Sequence, residues 1–140
     1  MSEADIELEG RSEHLGTVTA FLHAFWRAEG LPEDAVFPFE LSLEELFMNV
    51  AMHGTDDPSS PPTVHLRLRH ERDRVEVIFR DRGTAFDPLT LPPPELSDDV
   101  DARTVGGLGV FLVREMMDEV DYRHEDGWNS LRIAKHISPA

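Results

Sequence analysis

The chain has no cysteine among its 140 residues, which excludes disulfides and thiolate metal centres. It has no apolar run of the ~18–20 residues that a membrane-spanning helix requires. The opening residues Met1-Ser2-Glu3-Ala4-Asp5 contain no apolar stretch, so no secretory leader is expected. None of the seven histidines forms an HxxxH-type pair, which removes that class of metal site. There is no internal repeat, no GxGxxG fingerprint and no Gly-Lys-Ser/Thr phosphate loop. Cations are scarce: 13 Lys and Arg stand against 28 Asp and Glu, for a formal net charge of −15. A surface this acidic repels nucleic-acid backbones, and either suits a basic protein partner or only confers solubility. What remains is a soluble cytoplasmic chain, expected to form one domain over residues 1–140, with 40% hydrophobic residues to build its core.

What is present is regular patterning. Residues 4–9 alternate apolar and acidic, as an edge strand does. Ser12 is placed to cap a helix in which Leu15, Val18, Phe21, Leu22, Phe25 and Trp26 recur at helical spacing, and Gly30-Leu31-Pro32 ends it. A second helix is expected after Pro38, running through Leu41, Leu43, Leu46, Phe47 and Val50 to His53-Gly54. Ser42 followed by Glu45 fits a capping box inside it. Residues 63–70 and 75–79 alternate as two strands of a hairpin, turning at Arg72-Asp73-Arg74. Residues 88–103 carry Pro88, Pro92, Pro93, Pro94 and several aspartates, a composition expected of a functional or disordered loop. From Gly107 to Met117 the pattern is helical, with Leu108, Phe111, Leu112 and Met116 facing inward. Residues 120–124 and 130–136 then form a closing hairpin around Glu125-Asp126-Gly127. This order predicts a largely antiparallel sheet with helices on one face, an α/β (α+β) two-layer sandwich. It does not fit a doubly wound sheet, which needs alternating βα units.

Three short stretches carry chemistry. In the first, Glu45, Asn49 and His53 stand four apart and share one helix face. A solvated polar stripe accounts for that spacing. Asn49, however, is a poor helix former that offers an amide oxygen, a hard donor suited to Mg²⁺. Glu44 competes with Glu45 for any role as a base, but only Glu45 keeps the four-residue spacing to Asn49. In the second, Asp81 ends a strand and Gly83 follows in the turn Asp81-Arg82-Gly83-Thr84-Ala85-Phe86-Asp87. A simple strand-end turn explains this, and so does a buried acceptor for a ligand's N–H with backbone kept clear by Gly83. In the third, Gly106, Gly107 and Gly109 cluster before a helix, either as a hinge or as a phosphate cradle of bare backbone N–H groups. A polyphosphate needs such a cradle here, because the net charge opposes it.

The order and spacing of these stretches resemble the N, G1 and G2 boxes of the GHKL ATPase superfamily, with its Bergerat-type, mostly antiparallel mixed sheet. The run from Gly106 through Val113 to Met117-Asp118-Glu119-Val120, with Asn129 and Leu131, resembles the anti-sigma-factor serine/threonine kinases over residues 5–136. Ala85 departs from the family pattern, which often has a glycine there. The resemblance implies ATP and Mg²⁺ as cofactors, with Asn49 ligating Mg²⁺ and Glu45 activating the attacking hydroxyl. Asp81 would receive the adenine amino group beside Gly83. His53, Thr104, Gly106, Gly107, Leu108 and Gly109 would line the phosphate end under a lid at 88–105.

The implied partners are a sigma factor, which the kinase blocks, and a STAS-domain anti-sigma-factor antagonist, whose serine it phosphorylates. A PP2C-type phosphatase would restore the antagonist. Relatives commonly form homodimers, and Phe21, Phe25 and Trp26 of the first helix serve either that contact or the core. Two other readings stand beside this one. The chain is a nucleotide-binding sequestering protein without significant phosphotransfer, or a detached ATP-binding domain of a histidine kinase with His14 or His23 as acceptor.

Overall fold

The computed structural model describes residues 1–55, 57, 59–85 and 107–138. Strand β1 (Ser2–Glu9) leads to helix α1 (Leu15–Ala28) and helix α2 (Phe37–His53). The hairpin β2 (Thr63–Glu71) and β3 (Arg74–Asp81) follows, then helix α3 (Gly107–Met116) and a second hairpin, β4 (Glu119–Glu125) and β5 (Trp128–His136). The five strands form one sheet in the order β1-β2-β3-β5-β4, and each neighbouring pair is antiparallel.

The alternation read from the sequence becomes two unlike faces. Val64, Leu66 and Leu68 of β2, Val75, Val77 and Phe79 of β3, and Leu131 and Ile133 of β5 point to the inner face and are buried. The helices cover that face, and α2 packs between α1 and α3. Phe39 and Phe47 of α2 are fully buried. Truncating either to Ala would cost about 3–5 kcal/mol.

Local chemistry fixes the helix ends. Helix α1 stops at Gly30, whose φ of +64° is left-handed. The Gly30 N–H donates to Arg27 O and the Leu31 N–H to Trp26 O, the paired bonds that close a helix over a glycine. Val18, Leu22, Phe25 and Trp26 of α1 are buried and Phe21 is partly buried against them, so core packing occupies the residues considered for a dimer contact. Ser12 begins a short 3-10 turn before α1 and its side chain caps nothing.

Helix α2 starts ahead of the sequence expectation. Pro38 lies in its first turn, where its missing N–H has no partner to lose. The Ser42–Glu45 capping box does not form. Ser42 lies mid-helix and its hydroxyl donates to Pro38 O at 2.6 Å, one turn back. Of residues 111–117, whose side chains are described, Val113 and Met117 are buried, while Phe111, Leu112 and Met116 are half-buried.

Candidate functional site

Among the described residues three polar side chains are buried: Ser42, Asp81 and Asn129. Ser42 is satisfied by its own helix. The other two face each other across the β3–β5 pairing, where Asp81 and Asn129 are register partners. Asn129 Nδ2 donates to Asp81 Oδ1 at 3.1 Å, and also reaches Thr84 O at 3.1 Å and Gly83 O at 3.3 Å. The Gly83 N–H donates to the same Asp81 Oδ1 at 2.9 Å. Tyr122 of β4 donates its hydroxyl to Asn129 Oδ1.

These groups border a cavity of about 60 Å³ lined by Leu46, Asn49 and Val50 of α2, Phe79 and Asp81 of β3, and Tyr122, Asn129 and Leu131. At roughly 10–15 Å³ per enclosed water-sized group, it admits the edge of a small ring. Its walls are apolar with a few convergent polar groups, the usual composition of a ligand site. Two larger concavities, of about 390 and 770 Å³, lie on the outer face of the sheet. They are lined mainly by arginines and carboxylates, so the smaller, apolar cavity is the candidate ligand site.

Helix α2 supplies the second wall. Asn49 lines the cavity, and Glu45, one turn earlier, is hydrogen-bonded to it. Both are half-buried, whereas Glu44 is exposed. Burial pushes the Glu45 carboxyl above the ordinary glutamate range; the bond from Asn49 opposes this and repulsion from Glu44 adds to it. Burial likewise pushes the Asp81 carboxyl up, against the pull of its bonds from Asn129 and Gly83. Raised carboxylates beside a cleft are a common mark of a working site.

The turn after β3 is tied to the end of α2. The Thr84 N–H donates to Gly54 O at 3.0 Å and the Arg82 N–H to Thr63 O at 3.0 Å. A Cβ on Gly83 would stand 2.7 Å from Gly54 O and 2.9 Å from Asp81 Oδ1. The close approach that Gly83 permits is therefore within the protein, between this turn, α2 and the Asp81 carboxylate.

Of the residues expected from the sequence, the structure brings Asn49, Asp81 and Gly83 together, with Glu45 bonded to Asn49. His53 is exposed at the last residue of α2 and does not line the cavity. Gly107, Leu108 and Gly109 form the opening turn of α3. Thr104, Gly106, Phe86, Asp87 and the expected lid at 88–105 lie outside the described residues, apart from those already named in α3. Sequence reasoning gave no site role to Tyr122 or to Asn129. The available signal was an amide in a strand, a position where asparagine is disfavoured.

The fold agrees with the family comparison. The chain belongs to the histidine kinase-like ATPase domain family, which matches residues 8–135. It is similar to the serine/threonine-protein kinase BtrW of Bordetella bronchiseptica, at 34% identity over 103 residues, covering 74% of this chain and 72% of that protein. It is also similar to the serine-protein kinases RsbW of Listeria innocua, at 26% identity, and of Staphylococcus aureus, at 21%; each match covers 95% of this chain and 86% of the relative. Among solved structures, that of the RsbU and RsbW domains of Rv1364c from Mycobacterium tuberculosis superposes with a TM-score of 0.71 at 16% identity. It covers 100% of this chain and 34% of that longer one, a likeness of fold. Membership of an ATPase domain family implies a site for ATP. No helix among the described residues is long and apolar enough to cross a membrane.

Proposed function

We propose that this protein is an ATP-dependent serine/threonine protein kinase that also acts as an anti-sigma factor. Its substrate would be a serine hydroxyl on a STAS-domain antagonist, and its second partner a sigma factor. The observation that carries this reading is the cavity shared by Asn49 and Asp81, with Glu45 bonded to Asn49 at its edge. The names of the relatives supply the reaction class.

Each residue has a role that its surroundings support. Asp81 presents an acceptor to the exocyclic amino group of adenine. Asn49 donates to Glu45, which leaves its amide oxygen available to a metal. Among the described residues no three His, Asp or Glu are grouped to hold an ion. A cation here would rest on the Asn49 oxygen together with phosphate and water oxygens, a donor set that fits Mg²⁺. When bound, the ion would neutralise charge on the phosphates. Glu45, with its raised pKa, is the base for the serine proton; the desolvation that raises it also makes it a stronger acceptor than an exposed glutamate. On this reading, backbone N–H groups at the start of α3 would meet phosphate charge that the acidic surface otherwise repels.

The test is phosphorylation of a STAS-domain antagonist by the purified protein with labelled ATP and Mg²⁺. Label on the antagonist's serine is expected, and Glu45→Gln should abolish it while ADP still binds. A wild-type protein that binds ATP but labels no antagonist would instead be a nucleotide-binding sequestering module. Label on His14 or His23 of the chain itself would indicate a histidine kinase.

A further inference from the structure

We infer that Tyr122 and Asn129 determine the purine selectivity of this site, by holding Asp81 so that a single carboxylate oxygen meets the base. The inference rests on the adenine reading of Asp81 given above. It concerns two residues of the closing hairpin that lie outside the three sequence motifs.

The hydrogen bonds run in one direction. The Tyr122 hydroxyl donates to Asn129 Oδ1, which fixes which end of the amide faces Asp81. The Nδ2 end then reaches three acceptors: Asp81 Oδ1 at 3.1 Å, Thr84 O at 3.1 Å and Gly83 O at 3.3 Å. A reversed amide would set an oxygen against all three, which a buried site does not tolerate. With the Gly83 N–H at 2.9 Å, Asp81 Oδ1 already accepts two bonds. Oδ2 has no hydrogen-bond partner among the described residues, and Asp81 lines the cavity. The ligand therefore meets one free acceptor in one orientation.

An acceptor held in this way discriminates by donor pattern. Adenine presents an amino group at the position where guanine presents a carbonyl oxygen. The first donates to Asp81, and the second places lone pair against lone pair. A site built to receive a donor rejects the analogue that lacks it, provided its acceptor cannot turn away. Tyr122 and Asn129 supply that provision. Without the tyrosine hydroxyl Asn129 Oδ1 loses a donor and the amide is held less firmly against its three acceptors. Asp81 is then anchored less firmly and can rotate to accommodate a carbonyl through water. Tyr122 and Asn129 are thus positioning residues, acting through Asp81.

The experiment is calorimetric titration of ADP and of GDP into wild type, Tyr122→Phe and Asn129→Ser, with thermal unfolding of each as a control. Tyr122→Phe keeps the ring of a half-buried residue and removes only the donor. Wild type should prefer ADP. Tyr122→Phe should narrow the ADP-to-GDP ratio by about three- to tenfold, the range one neutral hydrogen bond supplies. Asn129→Ser should narrow it further. A general loosening of the fold would weaken both nucleotides together. An unchanged ratio in both variants, or equal loss for ADP and GDP, overturns the inference and leaves the adenine reading standing. A wild type with no preference for ADP overturns the adenine reading and the inference with it.

Discussion

The two faces of the sheet treat charge in opposite ways. On the outer face charges are many and paired. Arg132 contacts Glu76 at 2.9 Å and Glu119 at 3.2 Å and also pairs with Asp121. Asp5 receives Arg67 at 2.7 Å and His65 at 3.0 Å, and Arg69 bridges Glu3 and Glu76. Arg80 and Arg82 lie over the ring of Trp128 at 4.6 and 4.2 Å. On the inner face, among the described residues, the polar side chains that are buried without serving a helix of their own are Asp81 and Asn129. Two outer carboxylates have their pKa lowered, Asp5 by its hydrogen bond from Arg67 and Glu119 by those from Arg74 and Arg132. The inner carboxylates Asp81 and Glu45 have theirs raised by burial. Folding therefore gains from the outer charges and loses from the inner ones. On the proposed reading, ligand binding is what offsets this cost at the cavity.

The contrast is open to breakage. The largest effect is expected from Asn129→Asp, which turns a donor into a carboxylate facing Asp81 Oδ1, Gly83 O and Thr84 O. An uncompensated buried charge costs about 3–5 kcal/mol, and urea unfolding at neutral pH should show that loss. Next is Gly83→Ala, which brings a methyl within 2.7 Å of Gly54 O, a backbone atom that cannot swing aside. Overpacking of this kind costs about 1–3 kcal/mol.

The pH dependence sharpens the comparison through its sign. Asp81 and Glu45 have folded pKa values above the ordinary 3.8 and 4.5, so their contribution is fully present below those values and lost as pH rises through the raised ones. Asp5 and Glu119 have folded values below 3.8 and 4.5, so theirs is present above those values and lost as pH falls through the lowered ones. Stability measured against pH should rise as the outer set ionises and then decline as the inner set does. Asp81→Asn should remove part of the decline and leave the rise intact. The smallest effect is expected from Arg67→Ala. Its partner Asp5 is well exposed, with side-chain exposures of 43% and 42%, so the loss should be about 0.2–1 kcal/mol and should shrink further in salt.

Much of this contrast was legible in the sequence. Period-two alternation in residues 63–70 named both faces of β2, because an antiparallel sheet with one covered face demands it. The four-residue spacing of Glu45 and Asn49 put them on one helix face, and the structure adds the bond between them. Pro38 misled the helix boundary, since proline ends a helix from inside but is tolerated in the first turn. Ser42 misled it again, because a serine that bonds back to Pro38 O looks from spacing alone like a cap. Tyr122 and Asn129 escaped for a different reason. Asn129 meets Asp81 through the pairing of β3 with β5, strands 48 residues apart at that contact, and no local pattern encodes that register. The approach of Gly83 to Gly54 O is likewise a contact between distant segments that the local sequence does not encode.

The central claim is that the buried inner carboxylate is kept to bind a nucleotide, and calorimetric titration of ADP with Mg²⁺ into wild type and Asp81→Asn tests it most directly. The account predicts saturable binding by wild type and a loss of about 10- to 100-fold in Asp81→Asn, the scale of a hydrogen bond to a charged group, with the variant at least as stable at neutral pH. Equal affinity in the two proteins, or no binding by folded wild type, would contradict it.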